Sequence, residues 1–416
     1  MRNNPERLAW VVLLLSFLTC VGLTVAVPLG IRHYILYARV GQKVTLEVQR
    51  PPLSVTLAGR GLPVSVAEHY DDVPEQTIVT TAATAGRLVT HAPGADSPIV
   101  ATVQLYDYTK ITFSAAQSPR FTASRLPHQV ALEMEAGRVR ISVSGDDGRS
   151  TTVEVHTPHG TTMLVEGTYW INVNATMTEI TVRDGYANVN SDTEQSISLG
   201  PAERAIIRDG QIFGPLSAAR NLVANSDFAA PLDESWVSYS KDVQFEGEPG
   251  GKVEKAEVEG RPVIVIERQG EGHAETGITQ QINVDIRDFS SLQLHLLLYI
   301  EDHNVPVCGS LGSECPVMVR IDYEDADGAD QQWLQGFYSL PDASTPGNPL
   351  FCVTCNIRND HIQAPEDTWY SYDSENLIPL LSQDGKTPIL INSITVNASG
   401  HTYKALIAEI ELIGQE

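Results

Sequence analysis

Basic residues are in short supply: 28 Lys and Arg stand against 52 Asp and Glu, a formal net charge of -24. Phosphate backbones are held by clustered cations, so a nucleic-acid partner is excluded on charge. The acidity keeps an exterior solvated and names no partner by itself. Cysteine is scarcer still, with 5 in 416 residues. There is no Gly-rich phosphate loop. There is no nucleophile elbow either: the nearest approach, Ser310 in Cys308-Gly309-Ser310-Leu311-Gly312, has a cysteine where the first glycine belongs. The 11 histidines are scattered. With nucleophile, base and metal cluster all missing from the pattern, the chain is expected not to be an enzyme and to carry no cofactor beyond a structural calcium.

What is present is a chain of short strands behind one long apolar segment. The 31 glycines and 24 prolines, with abundant Val, Thr and Ile, suit turns and strands rather than long helices. Leu8 to Leu29 carries no charge over about 22 residues, enough to cross a bilayer. A cleaved signal peptide is the rival. Thr24-Val25-Ala26 is a poor small-residue cleavage site, and the run exceeds a signal core of about 7–15 residues. An uncleaved anchor is favoured. Arg2 and Arg7 precede the segment while Arg32, Arg39 and Lys43 follow it, so flanking charge does not set the orientation.

The cysteines bear on the compartment. Cys20 lies in the apolar segment, and Cys308, Cys315, Cys352 and Cys355 cluster late. Two disulfides outside the cytoplasm or a four-thiolate zinc site inside it both fit four cysteines. Only the second pair has CxxC spacing, which favours disulfides. Sequence does not choose among the three connectivities. No thioredoxin-like pattern surrounds Cys352-Val353-Thr354-Cys355 to make it redox-active. The bulk of the chain is then extracytoplasmic on a single-pass anchor.

From Val44 onward strands and turns alternate. In Arg138 to Val143, Val139, Ile141 and Val143 point one way and Arg138, Arg140 and Ser142 the other, the period of a half-buried strand. Asp147-Gly148, Asp184-Gly185 and Asp209-Gly210 supply the positive φ angles of tight turns. The stretch Val153 to Asn174 contains His156 and His159 with Glu154 and Glu166, which raises a metal site. Its alternation instead reads as a strand, a turn at Pro158-His159-Gly160 and a return segment with a bulge at Gly167. No third ligand converges, and the stretch is read as architecture.

GRVRISV, VEVHTPHGTTMLVEGTYWINV, TEITVRDGYANV and ISLGPAERAII, taken in that order, resemble the FecR domain, the extracytoplasmic module of bacterial iron-dicitrate-type sensor regulators. The matching positions are Gly137, Thr157, Pro158, Gly160, Gly167, Thr168, Asp184 and Gly185. The sequence departs at Tyr169-Trp170, where the family usually has one aromatic, and at Gly200-Pro201-Ala202-Glu203, which lacks the second glycine. The core signature spans 130–208. Such regulators carry a cytoplasmic domain that contacts a sigma factor; here Met1 to Arg7 are too few to fold one, so signalling through this chain alone is not expected.

NLVANSDF followed by Trp236, and the closing strand ALIAEIELIG, resemble galactose-binding-like jelly-roll domains common in carbohydrate-binding modules. About 195 residues of short strands between them fit one β-sandwich. Trp333, Trp369 and Tyr372 are candidates for stacking on a sugar ring, although Trp and Tyr usually fill sandwich interiors. Trp369 and Tyr370 are adjacent on a strand and must face opposite ways. Ile321 to Asp330 packs five acids into ten residues, which makes Asp325, Asp327 and Asp330 candidate calcium ligands. The loop fails the EF-hand pattern, with Tyr323 and Leu334 at its first and twelfth positions, and a hairpin turn at Asp327-Gly328 is favoured.

The expectation is an all-β protein behind a transmembrane helix. A cytoplasmic tail occupies 1–7, a signal anchor 8–31 and a juxtamembrane linker 32–43. A FecR-like module of stacked β-hairpins occupies 44–213, a linker 214–220 and a jelly-roll β-sandwich 221–416. The function expected is non-enzymatic binding of a glycan or an envelope protein at the cell membrane. The alternative is an envelope sensor acting through a partner membrane protein; a structural envelope component without a ligand is a third reading.

Overall fold

The computed structural model describes residues 5–94, 97–144, 149–343, 347–355 and 359–416. The turn expected at Asp147-Gly148 lies outside them. The chain divides into two compact units, Met1–Ala218 and Ala219–Glu416.

The first unit opens with the helix Pro5–Tyr37. Its segment Glu6–Tyr37 contains an 18-residue window with a mean hydropathy of 2.4 and is long and apolar enough to cross a membrane. Thr19 and Thr24 spend their hydroxyls on the carbonyls of Leu15 and Cys20 four residues back, so neither hydroxyl is left bare on an apolar surface. The helix runs through much of the segment expected as a linker at 32–43. Tyr34 meets Phe121 with ring centroids 5.7 Å apart, and Ser124 Oγ donates to Leu36 O at 2.6 Å. The strand Arg39–Gly41 follows at once, paired with Gln117–Pro119. Packing of Tyr34 and Leu36 onto the β unit, rather than solvation, decides their structure.

The strands of the first unit close into a barrel around the strand His128–Val143. Its first half pairs parallel with Thr151–Thr157 and antiparallel with Lys110–Pro119. Its second half pairs antiparallel with Ile99–Leu105 and Gly167–Val173. The change of partners falls at Gly137, whose φ of 99° is followed only by glycine without strain. A Cβ there would also lie 2.5 Å from Thr109 Oγ1. Val139, Ile141 and Val143 are buried, as their alternation predicts. Asp209-Gly210 joins Glu203–Arg208 to Gln211–Ser217 with φ of 51° and 74°, the left-handed pair a two-residue hairpin needs. That second strand and Arg220–Asn221 take up most of the linker expected at 214–220.

The second unit is a β-sandwich. In sheet I, Val237–Lys241, Ala274–Asp285, Pro388–Gly400, Val317–Asp325, Asp330–Tyr338 and Ile362–Gln363 lie in that order. In sheet II, Lys252–Val258, Arg261–Arg268, Tyr403–Gln415, Ser291–His303 and Tyr370–Asp373 do so, with Arg220–Asn221 beside the Tyr403 strand. Alternate residues of both sheets, among them Leu292, Leu294, Leu296, Leu298, Ile321, Trp333, Ile394 and Val396, fill one core. Arg268 is enclosed at the end of the sandwich, its side chain 0% exposed, against Glu248 at 2.8 Å and the carbonyls of Pro249, Gly272, Gly400 and His401.

Candidate functional site

Strand alternation sends every second residue of sheet I outward, and here polar outward residues stand among the apolar Val237, Met318 and Leu334. Tyr239 stands opposite Gly277, and Gly277 opposite Asn397. In the neighbouring row Thr279, Thr395 and Arg320 lie side by side, followed by Ser393 and Asp322. Thr395 is 0% and Asn397 4% exposed, so these short side chains are recessed below taller neighbours. Gly277 keeps the floor open: a Cβ there would fall 2.6 Å from that of Asn397.

The groups on this face are mutually oriented. Tyr239 Oη donates to Glu275 Oε1 at 2.6 Å, with Lys241 Nζ 3.4 Å from the same oxygen. Burial, then the bond to Glu275, holds the Tyr239 phenol well above its usual range, so it stays protonated. Arg320 Nε donates to Asp322 Oδ2 at 3.2 Å, and Ser393 Oγ donates to the same oxygen at 2.8 Å. Thr395 Oγ1 donates to Thr279 Oγ1 at 2.9 Å. One aromatic ring and a set of fixed donors and acceptors thus share a recessed floor.

One end of that floor is walled by the disulfide loops. Cys308 bonds Cys315 and Cys352 bonds Cys355. Val307, Cys308 and Cys315 pack on Met318 and Tyr338, so the loop lies over the outer face of sheet I. Cys315 O accepts from Ser399 N at 2.9 Å, and His273 Nδ1 lies 2.9 Å from Glu314 Oε1. That bond raises the His273 pKa and lowers that of Glu314. His303 joins the two loops: Nδ1 donates to Val305 O at 3.0 Å, while Nε2 accepts from the amides of Ser339 and Leu340 at 3.1 and 2.8 Å. Burial pushes its pKa down to about 4.

The outer face of sheet II is apolar. Val263, Leu406 and Ala408 are buried there beneath Leu297, Tyr299 and Trp369. Tyr299 and Trp369 have centroids 5.4 Å apart, and the Arg261 guanidinium lies 5.4 Å from the indole. Carboxylates border this patch: Asp367 accepts from Tyr299 Oη at 3.3 Å, and Glu301 from Lys404 at 2.7 Å.

The three aromatic candidates therefore part company. Trp333 is 1% exposed in the core between the sheets, which removes it as a stacking platform. It stands opposite Ile321, an inward position of its hairpin. Tyr372 packs edge-on to Phe337, centroids 5.1 Å apart, with its body against the same core. Trp369 lies on the outer face of sheet II, and Tyr370 turns to the core.

The acidic loop is a hairpin turn, Glu324 facing Asp330 across it. The Asp325 carboxylate accepts from the amides of Asp327 and Ala329 and from Gln331 Nε2, and those bonds, led by Ala329, lower its pKa. Asp327 and Asp330 are exposed, and the three form no ligand cluster among the described residues. Cys308, Cys315 and His361 do cluster, but the cysteines are bonded to each other and His361 Nε2 donates to Gly312 O at 2.7 Å.

The motif residues of the first unit are structural. Thr157 Oγ1 donates to Gly160 O at 3.0 Å, closing the hairpin, and His159 Nδ1 lies 2.9 Å from Thr178 Oγ1. Pro158 lies between those two bonded residues, in the turn that separates the strands Thr151–Thr157 and Gly160–Leu164. Thr168 pairs with Asp184, and a bulge follows between Thr168 and Tyr169. Gly167 and Gly185 fit where a Cβ would strike backbone carbonyl oxygens of Asp184 and Glu166.

Tyr239, Glu275, Arg320, Asp322 and Asn397 were not among the residues singled out by sequence. The alternation of Val319, Ile321 and Tyr323 against Arg320 and Asp322 marks the outward side, but nothing in one strand says that four strands place such residues together.

No family model and no curated protein sequence matches the chain. Among solved structures, a candidate anti-sigma factor from Parabacteroides distasonis is 16% identical over 38% of this chain and 71% of its own, with a TM-score of 0.24. The family 11 carbohydrate-binding module of a cellulosomal cellulase from Clostridium thermocellum is 14% identical over 45% of this chain and 92% of its own, with a TM-score of 0.25. A carbohydrate-binding module in complex with β-1,4-galactotriose is 10% identical over 47% and 99%, with a TM-score of 0.24. Likenesses this low carry nothing over to the chemistry of this chain.

Proposed function

We propose that the chain is a membrane-anchored, extracytoplasmic binding protein whose second unit takes a neutral glycan on the outer face of sheet I. The observation that carries this reading is the recessed floor around Gly277, where Tyr239, Asn397, Thr395, Arg320 and Asp322 combine one aromatic ring with fixed hydrogen-bonding groups. A sugar offers the complement: hydroxyls that each donate and accept, and a ring face that packs on a phenol. A net charge of -24 repels sulfated or uronate-rich chains, which leaves neutral ones. The apolar helix supports anchoring, and the two disulfides support an oxidising compartment.

The test is a glycan array probed with the full chain in detergent. Selective binding to neutral oligosaccharides, weakened at least about tenfold by Asp322→Ala, is the expected result, since losing one charged hydrogen-bond partner costs about 1.5–3 kcal/mol. Tyr239→Ala should weaken the same glycans. No binding by the folded protein, or binding unchanged in both variants, would remove the reading. Sensing through a partner membrane protein rests on the motif resemblance over 130–208, and a specific membrane partner recovered by cross-linking would favour it.

A further inference from the structure

We propose that the first unit holds the phosphate of an anionic lipid headgroup in an arginine-lined pocket at the foot of its helix. This rests on the helix being a membrane anchor.

Arg120, Arg125 and Arg149 line one pocket together with His128, Ser124 and Ser150. In a chain with 52 acids to 28 bases, no Asp or Glu is found among the described residues of its lining. Arg120 Nη1 donates to Tyr34 Oη at 3.3 Å and Arg149 Nη1 to Leu126 O at 2.7 Å, so each keeps further N–H groups to offer. Arg120 and Arg125 are exposed. No carboxylate of the described residues pairs with any of the three. Guanidinium forks match phosphate oxygens two at a time, and a pocket with several of them selects a phosphate over a single weak anion contact.

The second observation is where the pocket lies. Arg120 N donates to Ala38 O at 2.9 Å and Ser124 Oγ to Leu36 O at 2.6 Å. The segment Arg120–Arg125 is thereby fastened to the last turn of the helix. Leu29, where the uncharged run ends, lies five residues before Tyr34, about 8 Å along a helix. The headgroup layer on each side of a bilayer is about 5–8 Å thick. Anchored by this helix, the pocket opens at the depth of lipid phosphates, with Tyr34 and Tyr37 at the aromatic level of the interface. Net acidity pushes the rest of the chain off an anionic surface, so the pocket also fixes which end meets the lipid.

The experiment is native mass spectrometry of the full chain in detergent with phosphatidylglycerol or phosphatidylcholine added. Retention of phosphatidylglycerol over phosphatidylcholine is expected, lost in the triple variant Arg120→Ala/Arg125→Ala/Arg149→Ala and kept in Arg60→Ala, an exposed arginine outside the pocket. The triple variant is compared only with an unchanged circular dichroism spectrum; should it not fold, Arg125→Ala alone is read, with partial loss expected. Equal retention of both lipids, or full retention by the variants, overturns the proposal. Displacement by millimolar inorganic phosphate would reassign the pocket to a free anion and overturns the lipid assignment. Alkaline carbonate extraction of membranes separates the two ideas: release of the protein defeats the anchor itself, whereas failure of the lipid arm with the protein retained defeats only the pocket.

Discussion

Arg268 shows how much one side chain organises. Its guanidinium is enclosed and satisfies four backbone carbonyls and the Glu248 carboxylate at once. Removing it leaves the carbonyls of the buried Gly272 and Gly400 without that donor, so Arg268→Ala is expected to cost about 3–5 kcal/mol of stability, read by urea denaturation. Arg268→Lys should recover little, because an ammonium cannot span the same fork. His303 is the pH-sensitive counterpart. Its Nε2 accepts two amides only while neutral, and its pKa lies near 4 against about 6.5 in the unfolded chain. The unfolded state therefore takes up the proton first as pH falls. The stability contributed by neutral His303 is complete above about 6.5 and is lost as pH drops toward 4, on the order of 3 kcal/mol. The melting temperature should fall over that window, and less so in His303→Gln.

At the scale of elements, the strands were legible and their partners were not. Val139, Ile141 and Val143 announce a buried side, and Asp209-Gly210 announces a hairpin, because both signals are local. The parallel pairing of His128–Glu133 with Thr151–His156 leaves no such mark, nor does the change of partners within one strand at Gly137. For the same reason the candidate floor was invisible. Positions 239, 277, 320 and 397 come from four strands that only the sheet order brings together. Trp333 misled because an aromatic in a sandwich strand looks alike on either face, and only the register opposite Ile321 turns it inward. The four cysteines were legible as disulfides, but neither their pairing nor the wall they build was. Since each closes a short loop, opening Cys308–Cys315 with Cys308→Ser/Cys315→Ser should cost about 2 kcal/mol and leave the sheets intact. Amide exchange should rise in the loop between them and at Ser399, and not at Ile394 or Val396. Uniform loss of protection would show that the loop holds the sandwich together.

At the scale of the whole molecule, charge, apolar length and polar recess are segregated along the sequence. The helix is uncharged through its apolar run, the first unit gathers arginines at the helix end, and the second presents polar groups on one sheet and apolar ones on the other. Where the second unit begins has a further consequence. Arg220 stands opposite Gly414, and Arg220 Nη2 lies 3.3 Å from Glu416 Oε1. Entry and exit of the sandwich thus share one edge. A short bridge across that edge, with a cut at the exposed Asp327-Gly328 turn, would reorder the chain and leave the strand pairings in place. Such a unit can be lifted out or spliced into a surface loop of another protein, carrying its recessed face as freight.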